Sequence, residues 1–111
     1  MKNEKQIKRI NNEMKSETVT LQKIDIAIPP KYKVVFMNDD VTPMGFVVAV
    51  LEQIFNYDMT KSHEIMLKIH NKGSAVVGVF DYSTAETKKN ITDKWSKQYN
   101  YPLVVKIEKD K

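Results

Sequence analysis

The apolar positions of the chain fall into six blocks that follow a long polar opening. "YKVVFMN" at 32–38 is rich in β-branched and aromatic residues and closes on Asn-Asp-Asp, which predicts a strand ending in a turn. Thr42 then stands as an N-cap with Pro43 at the first helical position. Met44, Val47, Val48, Leu51 and Phe55 form one helical stripe, and Phe46, Val50 and Ile54 form another. A helix apolar over so much of its girth is a buried one. Asn56 and "YDMT" break it. A second helix is predicted from about 60 to 71, with Ile65, Met66, Leu67 and Ile69 as apolar members and Gly73 as C-cap. "AVVGVFDY" at 75–82 reads as a strand whose near-continuous apolar character predicts a central place in the sheet. Gly78 within it suggests close approach by another element. Ser83 to Glu86 has capping-box spacing, and Ile91, Trp95 and Tyr99 continue as the inner face of a third helix. "YPLVVKIE" at 101–108 is the last strand. The order is β-α-α-β-α-β, a layered α/β sandwich with the helices on one face of the sheet.

Residues 1 to 28 differ from the rest. They are rich in Lys, Asn, Glu and Gln, and "IPP" at 28–30 stops a helix from running onward. Ile7, Ile10 and Met14 sit at helical spacing, which allows a transient helix, but disorder is the expectation. The division expected is a flexible extension over 1–28 and one core domain over 29–111. No apolar run is long enough to span a membrane, and the basic N-terminus has no apolar core behind it. There is no cysteine, so neither a disulfide frame nor thiol chemistry is available. A cytoplasmic protein is the expectation. The net charge of +4 does not point to nucleic acid. Residues 1–28 carry six basic and four acidic side chains and the rest carry twelve and ten, so the excess is spread evenly; Arg9 is the sole arginine.

The candidate chemistry gathers around Asn38, Asp39 and Asp40. Adjacent carboxylates repel, so either they form a turn or they await a cation. Asn38 offers an amide and the aspartates offer ionised oxygens, at a strand end and just before a helix. On the second helix Met66, Ile69 and His70 share a face. If the two helices pack side by side, Met44, Val47, Met66 and Ile69 line a hollow rimmed by Asn38, Asp39 and His70. Methionine suits a pocket that accepts several apolar shapes. The guest that fits has a cationic head and a large apolar tail. Three plainer roles stand beside this: turn and cap chemistry for the Asn-Asp-Asp run, core filling for the methionines, and a helix C-terminus satisfied by His70. His63 and His70 lie seven apart without a second metal-type cluster, which disfavours a zinc site. An acid/base pair of Asp39 or Asp40 with His70 is conceivable, but no nucleophile elbow and no glycine-rich phosphate loop accompany it. No enzyme activity, metal or cofactor is expected.

"YKVVFMNDDVTPMGFVVAVLEQIF", "IMLKIHNKGSAVVGVF", "AETK" and "YPLVVKIE" together resemble the ClpS family of adaptors for the ATP-dependent Clp protease, from about Tyr32 to Glu108. The resemblance implies an α+β fold like the C-terminal domain of ribosomal protein L7/L12, with a three-stranded antiparallel sheet and helices on one face. It also implies a non-enzymatic, monomeric adaptor that binds proteins whose N-terminal residue is Leu, Phe, Tyr or Trp. The adaptor delivers them to the N-terminal domain of a ClpA-type or ClpC-type ATPase. By the same resemblance Asn38, Asp39 and His70 receive the α-amino group. Met44, Val47, Met66, Ile69 and Leu103 line the side-chain pocket, with Asp40 and Thr42 at its mouth. Glu86, Thr87 and Lys88 face the ATPase, and the N-terminal extension helps delivery. Three positions depart from the family pattern: Gly45, where an acidic or bulkier residue is usual; Ser83, where several relatives carry an acid; and Ile69, where valine is commoner. The competing expectation is an interaction module of the same fold with a ribosome-related or translation-factor ligand. A polar Asn-Asp-Asp rim with a helix-facing histidine favours the adaptor.

Overall fold

A computed structural model describes residues 28–110. The expected extension, with Ile7, Ile10 and Met14, lies outside the described residues except for Ile28. The elements run β1 (Tyr32–Met37), α1 (Met44–Gln53), α2 (Met59–Lys72), β2 (Ser74–Phe80), α3 (Tyr82–Gln98) and β3 (Val104–Lys109). The sheet order is β2-β1-β3 with both pairings antiparallel. An α+β architecture with a three-stranded antiparallel sheet is therefore what the chain adopts.

Alternation along β1 sets the two faces of the sheet. Val34 and Phe36 point inward and are fully buried. Phe36 lies opposite Ala75 on one side and Val105 on the other, and these join Val50 and Leu51 of α1 and Ala85 of α3 in one core. The opposite face carries Lys106 and Glu108, both exposed. β1, not β2, is the central strand. The apolar run of β2 does not mean burial on both faces. Val76 and Val79 stand on the open face, 44% and 45% exposed, so their presence reflects the fit of branched side chains to a pleated surface. Between Val34 and Val35 the register with β2 shifts, which makes Val77 an extra residue on that strand. The Tyr57 hydroxyl donates to the Val77 carbonyl at 2.6 Å and satisfies the oxygen that the bulge releases. The close approach at Gly78 comes first from its own strand, through Phe80, and only second from another segment, through Tyr57. A Cβ there would stand 2.6 Å from the Phe80 ring and 3.4 Å from the Tyr57 hydroxyl.

The helix starts correct the sequence reading by a residue or more. Pro43, not Thr42, is the N-cap of α1, and its carbonyl accepts from Phe46 and Val47. Asp81, not Ser83, caps α3, accepting the Thr84 N–H at 2.8 Å. β3 begins at Val104 rather than 101, because Asn100 takes a left-handed φ of 59° and Pro102 has no N–H for a ladder. Asp58 caps α2 through the Lys61 N–H at 2.8 Å. Gly73 ends α2 with φ 89° and returns its N–H to Ile69. Replacing Asp58 with Ala leaves a first-turn N–H unpaired and is expected to cost about 1 kcal/mol. Thermal unfolding should register it as a Tm lower by about 4–8 °C, with Asp58→Asn close to the parent.

The largest correction concerns α3. Its buried positions are Ala85, Thr92 and Ser96, not Ile91 and Tyr99, which are exposed; Trp95 is half-buried. Small side chains let α3 sit close to the sheet. The two buried hydroxyls are satisfied within the helix, Thr92 donating to the Lys88 carbonyl at 2.8 Å and Ser96 to the Thr92 carbonyl at 2.9 Å. The larger apolar residues of α3 are thereby turned toward α1 and solvent.

Candidate binding site

β1 delivers Asn38 to the end of α2. The Asn38 backbone N–H donates to the Gly73 carbonyl at 2.9 Å, which ties the strand exit to the C-cap of α2. His70, in the last turn of that helix, is exposed, as is the Asn38 side chain. The next residue, Asp39, does not point to bulk solvent. Its Oδ1 accepts the Val41 N–H at 2.8 Å and the Thr42 N–H at 2.6 Å, and its Oδ2 accepts the Thr42 hydroxyl at 2.8 Å. Burial alone would push the Asp39 carboxyl up; these three donors outweigh it and hold the group below the ordinary carboxylate range. Asp39 is therefore a fixed negative charge at neutral pH. A carboxylate has about four acceptor directions, so Oδ2 keeps one for a further donor. Asp40 beside it is exposed, and Thr42 is half-buried.

The apolar residues expected to line a pocket divide by exposure. Val47, Met66, Ile69 and Leu103 all belong to the buried core cluster, each less than a tenth exposed. Met44, at the first position of α1, is 44% exposed. One unbranched, polarisable side chain thus stands half in solvent while the others are buried. The polar residues Asn38, Asp39 and Thr42 sit on the loop from β1 to α1, whose first turn carries Met44. His70 lies three residues before Gly73, whose carbonyl accepts from the Asn38 N–H. Among the described residues there is no cluster of three or more metal-type side chains. No helix of the described residues is long and apolar enough to cross a membrane.

The first half of α3 carries the second group of expected residues. Glu86 and Thr87 are exposed. Lys88 differs: its ammonium donates to the Ile54 carbonyl at 2.7 Å and lies 5.4 Å and 5.5 Å from the centroids of the Phe55 and Phe80 rings. Much of its charge is therefore used to finish the carboxyl end of α1. The sequence reading missed an aromatic cluster. Phe46 meets Tyr101 edge-on at 4.9 Å and Tyr99 at 6.0 Å, and Tyr99 stacks on Tyr101 at 5.9 Å. The signal was present in the three aromatics at 95, 99 and 101. Spacing alone assigned the first two to the core.

The fold is a small α+β module with a fixed carboxylate on the loop before α1 and an exposed histidine in the last turn of α2. The family described as "ATP-dependent Clp protease adaptor protein ClpS" matches residues 27–106. A ClpS adapter of Ruegeria sp. (strain TM1040) is 49% identical over 82 residues, covering 74% of this chain and 73% of the relative. The Escherichia coli O127:H6 ClpS adapter is 37% identical over 103 residues, covering 91% of this chain and 97% of the relative. Among solved structures, Agrobacterium tumefaciens ClpS2 bound to L-phenylalaninamide superposes with a TM-score of 0.72 at 36% identity, covering 75% of this chain and all of that one. The chain belongs to the ClpS family of ATP-dependent Clp protease adaptors.

Proposed function

We propose that this chain is an adaptor that grips proteins by a bulky hydrophobic N-terminal residue, Leu, Phe, Tyr or Trp, and delivers them to a Clp ATPase–peptidase. The observation that carries the reading is the Asp39 carboxylate, pinned by Thr42 and Val41 on the loop that leads to the half-exposed Met44. The Agrobacterium relative is bound to L-phenylalaninamide, which presents an α-ammonium, a phenyl side chain and an amide in place of the next peptide bond. Asn38, Asp39 and His70 receive the ammonium. Met44, Val47, Met66, Ile69 and Leu103 enclose the side chain, with Asp40 and Thr42 at the mouth.

An α-ammonium with an unperturbed pKa of about 7.7–8.0 is largely charged near pH 7. Each charge-assisted hydrogen bond to it contributes about 1.5–3 kcal/mol. Burying a Leu or Phe side chain contributes about 1.5–3 kcal/mol more. Ordering the peptide subtracts from that sum, which leaves an affinity suited to a carrier that must release its cargo. The chain needs no cofactor for this and works as a monomer. Its partner is the N-terminal domain of a ClpA-type or ClpC-type ATPase, met by Glu86, Thr87 and Lys88 at the start of α3. Glu86 and Thr87 offer the free side chains; Lys88 contributes whatever N–H groups Ile54 leaves to it. Residues 1–28 assist the transfer.

The test is a titration of the full chain with a fluorescent Phe-initiated peptide, its N-acetylated twin and a Ser-initiated control. The free peptide should bind and the other two should not, because acetylation removes the charge and a serine leaves the apolar wall unfilled. Equal binding of the acetylated twin sinks the proposal. The pH dependence has a definite sign. Binding raises the amine's pKa above its free value, so affinity is full below about pH 7.5 and is lost as the pH rises through the free value. A fall of about tenfold between pH 7 and pH 9 is expected.

A further inference from the structure

We propose that the trough between α1 and α3 receives the fourth to sixth residues of the same substrate whose first residue enters the pocket, and that it prefers aromatic and proline side chains there. The proposal rests on the function proposed above. The trough encloses about 420 Å3 and is walled by Pro43, Phe46, Ala49, Trp95, Tyr99 and Tyr101. That is the size of a specific ligand site. No charged side chain lines it, in a chain that is 29% charged, so what it selects is apolar surface rather than charge. Tyr99 is 57% exposed although two aromatic neighbours hold its ring in place. A ring so fixed loses little freedom on binding and presents a flat face to proline or to another ring. At the rim, Gln53 and Gln98 offer amide donors and acceptors to an extended backbone.

Continuity with the pocket identifies the occupant. Residues of the two sites neighbour one another along the chain. Pro43 follows Thr42 at the pocket mouth, Phe46 precedes Val47, and Tyr101 lies two residues before Leu103. They are separated by the first turn of α1, with Met44 on one side and Phe46 on the other. Gly45 stands between them, exposed, with open space where a Cβ would be. A chain leaving the pocket over Gly45 crosses a saddle that no side chain obstructs. A helix with its side chains is about 10 Å across and an extended chain advances about 3.3 Å per residue, so roughly three residues span the crossing. The fourth residue then arrives at the Phe46 edge of the trough.

The test uses the full chain and two fluorescent peptides, Phe-Ser-Gly-Pro-Tyr-Pro and Phe-Ser-Gly-Ser-Gly-Ser, each with an acetylated twin. The proline–tyrosine peptide should bind about fivefold tighter, from one or two added ring contacts. Tyr99→Ala should reduce it to the affinity of the Ser-Gly peptide and leave that peptide's affinity as it was. Ala49→Met, which fills the trough, should do the same. Equal affinity of the two peptides overturns the downstream site while the adaptor reading stands, whereas equal binding of the acetylated twins removes the adaptor reading itself. A preference that survives both substitutions overturns the placement. Self-association on sedimentation that Tyr99→Ala abolishes would assign the trough to a second copy and likewise overturn it.

Discussion

Asp39→Ala is expected to weaken Phe-initiated peptides by ten- to a hundredfold, about 1.5–3 kcal/mol, the range for one charge-assisted hydrogen bond. The substitution acts twice. It removes the charge that faces the ammonium in the function proposed, and it releases the Val41 and Thr42 N–H groups and the Thr42 hydroxyl, which lose their common acceptor. The two effects separate in Asp39→Asn. An amide oxygen still accepts from the loop N–H groups, but the side chain is neutral. That variant should keep the loop and the thermal stability near the parent and still lose most of the affinity. The acid limb has the sign that the lowered carboxyl requires. A group whose folded pKa lies below its unfolded value stabilises the fold above the unfolded value and loses that contribution as the pH falls through the folded one. Asp39 stays charged through pH 5, so peptide binding should hold steady from pH 7 to pH 5 as far as this residue is concerned, and fall only below about pH 4. Equal titration curves for parent and Asp39→Ala would remove Asp39 from the site.

The strand and helix positions were legible in the chain because their apolar spacing is strong. "YKVVFMN" forms the strand its composition predicted, with Val34 and Phe36 in the core, and Gly73 ends α2 where it was expected. The order of the strands was not legible. A near-continuous apolar run fits a buried central strand and an edge strand with one open face equally well, and Val76 and Val79 turned out to be the latter. On α3, hydropathy ranked Ile91, Trp95 and Tyr99 above Thr92 and Ser96. The pattern could not register that these two hydroxyls pair with carbonyls of their own helix and so can be buried. The same inversion hid the trough, because Trp95 and Tyr99, which were assigned to the core, line it. In the binding loop, Asp39 and Thr42 stand at capping distance in sequence. Thr42 was expected to cap the helix; instead it donates to the Asp39 carboxylate, which closes the loop before the helix begins. Lys88 is the remaining difference. Its place in "AETK" marks a docking residue by resemblance, but a lysine's long stem also reaches inward, and here it reaches the Ile54 carbonyl.

Met44→Ala is expected to admit peptides that begin with Ile or Val, bringing them to within about tenfold of Leu, the range set by one or two methylene-sized differences in an apolar site. The argument is one of shape. Leu, Phe, Tyr and Trp branch beyond Cβ, whereas Ile and Val carry their bulk on Cβ, next to the backbone that the polar rim holds. A β-branched residue therefore needs width at the neck of the pocket rather than at its floor. In the function proposed, Val47, Met66, Ile69 and Leu103 form the floor; they are already buried in the core, so they have little room to move. Met44 differs because it is the first residue of α1 and nearly half exposed. It is the one apolar member free to set the width of the neck. Truncation to Ala removes three heavy atoms there while leaving the floor and the Asp39 loop in place. Because Met44 is half exposed, the same change should cost little stability, in contrast to the 2–5 kcal/mol typical of a buried Met→Ala. Paired titrations of Leu-, Ile- and Val-initiated peptides against parent and variant, with a thermal melt of each, test both parts. Continued rejection of Ile-initiated peptides by the folded variant would move the selectivity away from Met44. It would then have to reside in the floor, where Ile69 is the residue whose added methylene, relative to valine, narrows the space.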